Sequence, residues 1–146
     1  PLINMSIGGP ADPLLSSLVQ SGLKRGVIFV GSTTEDANSF PTNINGVIGV
    51  GNSDGSHVGA TLVAPATHVM TLLPGNEYDF ESGTSIAAAE VTGVAALLLS
   101  ADNRLTGDSI VALLKSTPAG AAIDVDAALA KVEAEMSGRL ARSSTR

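Results

Sequence analysis

The 146-residue sequence contains no cysteine and no tryptophan, and only 3% of its residues are aromatic. The absence of cysteine excludes disulfides and thiol chemistry, and it leaves the redox compartment undecided. The few aromatic side chains do not favour a base-stacking surface for nucleic acid. Acidic residues outnumber basic ones, which gives a net charge of -6. The chain therefore lacks the basic face that nucleic acid or an anionic membrane requires, and we expect neither partner.

Long apolar segments are also absent from the sequence. The longest run, residues 91–99, is far shorter than the roughly 20 residues of a membrane span, so no such span is predicted. Hydrophobic residues make up 44% of the chain, which is enough for the core of one globular domain. The residues that follow Pro1 have the pattern of a strand in the middle of a fold, so we expect the chain to be part of a longer domain.

The most informative stretch is residues 81–99. It begins with Gly83, Thr84 and Ser85 and then stays apolar on every side for about four turns, which is typical of a helix buried on all faces. Gly83 allows a sharp turn, Thr84 is predicted to cap the helix, and the unpaired N–H groups of the first turn point at whatever lies beside Ser85. A hydroxyl and free N–H donors together indicate acyl transfer.

This stretch resembles the nucleophile motif of the subtilisin-like serine peptidases, Gly-Thr-Ser followed by a small-residue helix that ends in Val-x-Gly. Ala89 and Glu90 depart from the family, whose members usually carry Pro and His there. Two more matches support the resemblance: residues 6–9 are similar to its Ser-Leu-Gly-Gly segment, and residues 40–51 to its Tyr-Pro followed by Val-Ile-x-Val-Gly. The resemblance implies that Ser85 attacks the scissile carbonyl and that its own N–H donates to the oxyanion.

The resemblance also implies where a substrate would lie. In the family, the strand before the Ser-Leu-Gly-Gly segment pairs with an extended polypeptide, a form of strand addition. The residues predicted to bind substrate are Ser6, Ile7, Gly8, Ser32, Thr33 and Gly83. Taken alone, residues 6–9 would read as an ordinary loop between a strand and a helix.

The second oxyanion donor is where the sequence departs most from the family. An Asn amide supplies this donor in the family, and an ungapped count from Gly26 places Glu35 there, whose ionised carboxylate cannot donate. Three outcomes are open: Asn38 reaches the site, Thr33 or Thr34 donates through its hydroxyl, or the site is impaired. We expect a functional but divergent oxyanion hole, because Ser85 and its flanks are intact.

A catalytic base is not found in the sequence. In this family the triad Asp and His precede the Ser-Leu-Gly-Gly segment, whereas His57 and His68 both follow it, so both are interpreted as surface residues. The acidic residues near residue 79 are likewise interpreted as surface carboxylates, without regular calcium-ligand spacing. No cofactor is expected, and a structural calcium ion is suggested by family analogy only.

The order of predicted elements indicates an α/β fold, the C-terminal portion of a three-layer, parallel-sheet subtilisin-like domain. A strand, helix and strand unit spans residues 2–30, with the helix at 13–23 laying an apolar stripe on the sheet. Strands at 47–51 and 60–63 are predicted to form a hairpin. A further strand is predicted at 69–72, followed by a turn at 73–78. One helix is predicted at 106–114, and a final helix is predicted to end near residue 136. Residues 1–136 form the domain portion, and residues 137–146 are predicted to be a disordered tail.

Two functional hypotheses follow. The first is a serine endopeptidase fragment whose triad Asp and His lie outside these residues, inactive alone and acting on polypeptides when complete. The second is a non-catalytic peptide-binding or scaffolding module with a degenerate oxyanion hole. In either case we expect the chain to associate with the missing N-terminal half of the domain or with itself, and family analogy suggests a secreted or periplasmic location.

Overall fold

Strands and helices alternate along the chain in the computed structural model, which describes residues 1–55, 58–115 and 123–143. The elements are β1 (Leu2–Met5), α1 (Pro13–Lys24), β2 (Ile28–Ser32), β3 (Ile48–Asn52), β4 (Leu62–Ala64), β5 (Val69–Leu73), β6 (Glu77–Glu81), α2 (Thr84–Ala101), α3 (Gly107–Lys115) and α4 (Val125–Ser143).

The first four strands form a single parallel sheet in the order β1-β2-β3-β4. The register pairs Leu2 with Ile28, and Val50 with Leu62. The predicted hairpin between β3 and β4 is therefore wrong. Turn residues in segment 52–61 suggested a tight reversal, but β3 is buried on both faces, and a strand covered on both sides is typical of a parallel sheet.

Helices cover both faces of the sheet, which confirms the predicted three-layer α/β architecture. On one face α2, α3 and α4 share a core with β2, β3 and β4. On the other face α1 contributes Val19 to a smaller cluster with Phe29 and Val47. The buried residues of α2 are mostly small, which lets the helix lie close to the strands: Ala87, Ala88, Val91, Ala95 and Leu98.

The apolar stripe of α1 is only partly covered. Val19 is buried, but Leu14 is 70% exposed and Leu18 is 61% exposed. The prediction that the whole stripe lies on the sheet is thus wrong, because only the Val19 side of the helix reaches the strands. The helix begins at residue 13 as predicted: Asp12 is its N-cap, whose carboxylate accepts from the Leu15 N–H, and Pro13 is its first residue.

The C-terminal helix extends beyond its predicted end. The sequence suggested an end near Met136 and a disordered tail from residue 137, yet α4 remains helical to Ser143, and residues 144–146 lie outside the described part. The buried carboxylate of Asp102 accepts hydrogen bonds from Arg104 and Arg139. This contact anchors the last turns of α4, and the hydrogen bond from Arg104 lowers the pKa of Asp102 to about 2.

A strand was missed at residues 77–81. The predicted turn is confined to residues 74–76, and β6 pairs antiparallel with β5. Its sequence alternates carboxylates with aromatic residues, and acidic residues are depleted in strands, which is why the propensities favoured a turn.

By length and composition, α2 is apolar enough to cross a membrane. Its buried residues instead contact β1, β2, β3 and β4, as expected of a core helix. The prediction that the chain does not span a membrane stays a prediction.

Candidate active site

Ser85 lies at the N-terminus of the core helix and is exposed. Gly83 is the N-cap residue, with a φ of 146° that glycine tolerates and other residues rarely adopt. Ser85 is the second residue of α2, so its N–H is one of the first-turn groups that have no acceptor within the helix. The positive end of the helix dipole and this N–H therefore lie beside the Ser85 side chain.

Thr84 does not cap the helix as predicted, because the cap position is one residue earlier. Its hydroxyl donates instead to the carbonyl of Thr33, at 2.8 Å, just past the end of β2. The N–H of Gly83 donates to the carbonyl of Ala66, also at 2.8 Å. These two bonds fix the start of α2 between the loops that follow β2 and β4.

The loops after β1 and β2 meet beside Ser85, as expected at the carboxyl edge of a parallel sheet. The Ser6 hydroxyl donates to the carbonyl of Ser85 at 2.9 Å, and the Ser32 hydroxyl donates to the carbonyl of Ile7 at 3.3 Å. A Cβ built on Gly8 would lie 2.6 Å from the Thr34 methyl, so only glycine fits this approach. The structure thus brings the predicted cleft residues together around Ser85, while their contact with substrate stays a prediction.

A polar chain that the sequence did not reveal extends from this point into α2. Asn4 donates to the Ser6 hydroxyl at 2.9 Å. The Thr92 hydroxyl lies 3.1 Å from the side-chain oxygen of Asn4 and 2.7 Å from the carbonyl of Ala88, and its one hydrogen is shared between these two acceptors. Because the Ser6 hydroxyl in turn donates to the Ser85 carbonyl, the chain links β1 to Ser85 and to the helix two turns farther on. The signal that could have found it is the hydroxyl of Thr92 in an otherwise apolar helix.

The oxyanion donors were left open by the sequence, and the structure reduces the alternatives. The Thr33 hydroxyl is buried and donates to the carbonyl of Val50. The Thr34 hydroxyl donates to the carbonyl of Asp36 at 3.0 Å. Both threonine hydroxyls are therefore engaged elsewhere.

Glu35 and Asn38 are both exposed on this same loop. The N–H of Asn38 donates to the Asp36 carboxylate at 2.8 Å, which holds the Asn38 backbone in a tight turn. Since the hydroxyls of Thr33 and Thr34 already donate to backbone carbonyls, neither is free to be the second oxyanion donor. The side chain of Asn38 is the candidate donor that remains.

Among the described residues, no histidine is positioned to act as a base for Ser85. His68 is exposed, and its backbone N–H donates to the Ser82 hydroxyl. His57 lies outside the described residues. Within residues 1–55, 58–115 and 123–143, no group of three or more His, Asp or Glu side chains is placed to hold a metal ion, and the calcium ion suggested by analogy stays a prediction.

Glu90, which stands where members of the family usually carry histidine, lies on a different side of α2 from Ser85. Burial raises the pKa of its carboxyl group. It lines an open groove of about 420 Å³ that is otherwise bounded by apolar residues of β4, α2 and the start of α4. This groove includes none of the residues that surround Ser85.

Comparisons with known proteins agree with this geometry. A sequence model of the subtilase family matches residues 2–136. The major intracellular serine protease of Bacillus subtilis is 35% identical over 117 residues, covering 68% of this chain and 37% of that protein. Subtilisin DY of Bacillus licheniformis is 33% identical over 133 residues, covering 80% of this chain and 48% of that protein.

Solved structures show the same relationship. A cold-adapted subtilisin-like serine proteinase is 31% identical with a TM-score of 0.71, covering 79% of this chain and 47% of that chain. A protease of Pseudoalteromonas arctica is 27% identical with a TM-score of 0.77, covering 90% of this chain and 51% of that chain. The chain spans about half, or less, of the length of these relatives. It belongs to the subtilase family of serine peptidases.

Proposed function

We propose that this chain carries the nucleophile of a serine endopeptidase and that residues outside these 146 supply the triad Asp and His. The observation that carries the proposal is the exposed Ser85 at the N-terminus of α2, whose inner side packs on the sheet, with the loops after β1 and β2 beside it. In this mechanism the Ser85 hydroxyl gives its proton to the base and attacks the scissile carbonyl. The C–N bond then breaks, the amine product leaves with that proton, and water hydrolyses the acyl-enzyme to free Ser85.

The N–H of Ser85 would stabilise the oxyanion that forms during this attack. The second donor would come from the side chain of Asn38, with Glu35 turned to solvent, since both Thr33 and Thr34 are engaged. An extended polypeptide substrate would lie along residues 6–8, which directly follow the edge strand β1. Ser32 and Thr33, both buried, would support this cleft from behind.

A base has to come from elsewhere, because a serine hydroxyl near neutral pH is a weak nucleophile until a hydrogen-bonded base removes its proton. The exposed surfaces of the chain support a further part of the domain. β1 is an edge strand with Ile3 43% exposed, and Leu97 on the outer side of α2 is 51% exposed. We propose that the N-terminal half of a subtilase domain covers these surfaces and brings the Asp and His.

A second candidate function is a non-catalytic peptide-binding or scaffolding module. It is favoured by Glu35, because a carboxylate at the oxyanion position repels the negative charge that the reaction develops. Loss of one oxyanion donor costs about 100- to 1000-fold in kcat, a magnitude that was measured in subtilisin itself. In this alternative the cleft beside Ser85 still holds an extended peptide but does not cleave it.

A fluorophosphonate probe distinguishes the two candidates, since it reacts only with an activated serine. The probe is applied to the 146-residue chain and to the longer product of the same gene, each with a matched Ser85→Ala variant. We expect labelling of the longer form that disappears in Ser85→Ala, and none of the short chain. An unlabelled longer form that contains an upstream Asp and His would favour the binding module, whereas labelling of the short chain alone would show that the base is within it.

The Glu35→Asn variant of the longer form tests the oxyanion hole directly. If Glu35 impairs the site, the substitution raises the labelling rate by about 100-fold or more. If Asn38 already supplies the donor, the rate changes little and Asn38→Ala lowers it. A secreted or periplasmic location is also proposed on family analogy, and fractionation of the cells that produce the longer form tests it.

A further inference from the structure

The hairpin formed by β5 and β6 has an apolar face that neither core uses. The strand register pairs Met70 with Phe80 and Leu72 with Tyr78, so the four side chains lie on one face. They are 62%, 55%, 65% and 69% exposed, respectively. Among the described residues, no member of this hairpin belongs to either hydrophobic cluster.

The opposite face of the hairpin is different in character. Successive side chains of a strand point to opposite faces, so Glu77, Asp79 and Glu81 alternate with Tyr78 and Phe80 and lie away from the apolar face. All three carboxylates are on exposed residues. On β5 this same face carries Val69, Thr71 and Leu73, which are half-buried, so the carboxylates keep only its β6 side in water. The other face of the hairpin presents a continuous apolar surface.

This surface is as large as the largest apolar patch of a typical monomer, and patches of that size are often functional. Four large side chains, each more than half exposed, present roughly 500 Å² of mostly apolar area. A two-stranded hairpin is also only marginally stable in water and is stabilised by a further layer against its apolar side. Both arguments favour an occupant for this face.

We propose that the occupant is a second copy of this chain, packed face to face through Met70, Leu72, Tyr78 and Phe80. Two such faces bury at most roughly 1,000 Å² in total, which is the size of a weak or transient interface. Pairing through the edges of β6 is disfavoured, because antiparallel strands would place carboxylates opposite carboxylates. Face-to-face packing avoids this contact, since the carboxylates point outward from the two-layer sandwich.

The predicted dimer is weak and reversible, with a dissociation constant on the order of 10–100 µM, given an area at the lower limit. It does not depend on the catalytic proposal, because the face contains no residue of the Ser85 site. The Ser85→Ala variant is therefore expected to dimerise like the unmodified chain, whichever candidate function holds.

Tyr78 provides a specific reporter of this face, because the chain contains one tyrosine and no tryptophan. Sedimentation velocity and acrylamide quenching of tyrosine fluorescence are measured over the same concentration series. We expect the dimer to form and the quenching to fall together. The double variant Met70→Thr and Phe80→Thr keeps strand-favouring residues and should weaken dimerisation by about 10-fold or more. The matched control Leu18→Gln removes an equally exposed leucine from α1 and should leave it unchanged.

Single cysteines give an independent test, since the chain has none. Under mild oxidation, Leu72→Cys should form a disulfide-linked dimer far faster than Leu18→Cys. The proposal is overturned if the chain stays monomeric over the whole concentration series. It is also overturned if the chain dimerises while the quenching of Tyr78 stays constant, because this result would indicate pairing through the β1 edge. It is also overturned if Leu18→Gln weakens the dimer as much as the hairpin variant does, with both variants folded by circular dichroism.

Discussion

Gly93 lies in the interior of α2, where glycine is unfavourable, and it is exposed. A Cβ built at this position would meet no heavy atom within 4 Å. Alanine is favoured over glycine in a helix interior by about 0.5–1 kcal/mol, because glycine loses more backbone freedom on folding. We therefore expect Gly93→Ala to stabilise this chain by that amount, raising its melting temperature by about 2–4 °C.

The same substitution should act in the opposite direction in the longer form. If another part of the domain covers this side of α2, the glycine leaves space for its close approach, and an added methyl group would obstruct it. Fluorophosphonate labelling of the longer form should then fall in Gly93→Ala while the isolated chain gains stability.

Urea unfolding followed by circular dichroism measures the first effect. The reverse change on the same helix, Ala96→Gly at an exposed site, should cost a similar amount. A Gly93→Ala chain that is less stable than the parent would refute the reasoning, since it would mean that the methyl group meets atoms where the structure has open space.

Three further predictions concern the core, the Asp102 contact and the start of α2. Leu98→Ala should lower the free energy of unfolding by about 2–5 kcal/mol, because Leu98 is fully buried in the core. Leu97 is adjacent and half exposed, so Leu97→Ala should cost less than about 1 kcal/mol in the same urea experiment. The pKa of Asp102 is lowered to about 2 in the folded chain, below its unfolded value of about 3.9. The stabilisation from Arg104 and Arg139 is therefore present above pH 4 and is lost as the pH falls towards 2. Between these pH values the urea midpoint of unfolding should fall less steeply in Asp102→Asn than in the parent chain, and an equal slope would contradict the assignment. Thr84→Val should cost about 1 kcal/mol, because the carbonyl of Thr33 loses its donor, while Thr84→Ser should retain most of the stability.

The parallel sheet and the core helix could be predicted from the sequence because their signals are local. The apolar run of β2 indicates burial on both faces, and the structure buries every residue of that strand. The small-residue run of α2 predicted burial on all sides, and this is wrong: only the inner residues are buried, while Ala89, Gly93 and Leu97 on the outer side are exposed. The convergence of the loops near Ser6 and Ser32 on Ser85 also followed, since the carboxyl ends of parallel strands share one edge.

Other features depend on contacts between distant residues and have no local signal. The direction of β4 is decided by burial against β3, and the length of α4 by the contact of Arg139 with Asp102, 37 positions away. The roles of the Thr33 and Thr34 hydroxyls could not be predicted either, because their acceptors are backbone carbonyls that the sequence does not place.

The alanines on the inner side of α2 also determine how Ser85 responds to change. Ala87, Ala88 and Ala95 have no rotamers to adjust, so the distance between the helix axis and the strands is set by methyl groups pressed against the backbone. A bulkier residue there would push the helix away from the strands and carry Ser85 away from the loops after β1 and β2. Under the proposed function, labelling of Ser85 in the longer form should consequently decline before the chain unfolds, which makes this helix a spacer between Ser85 and the sheet.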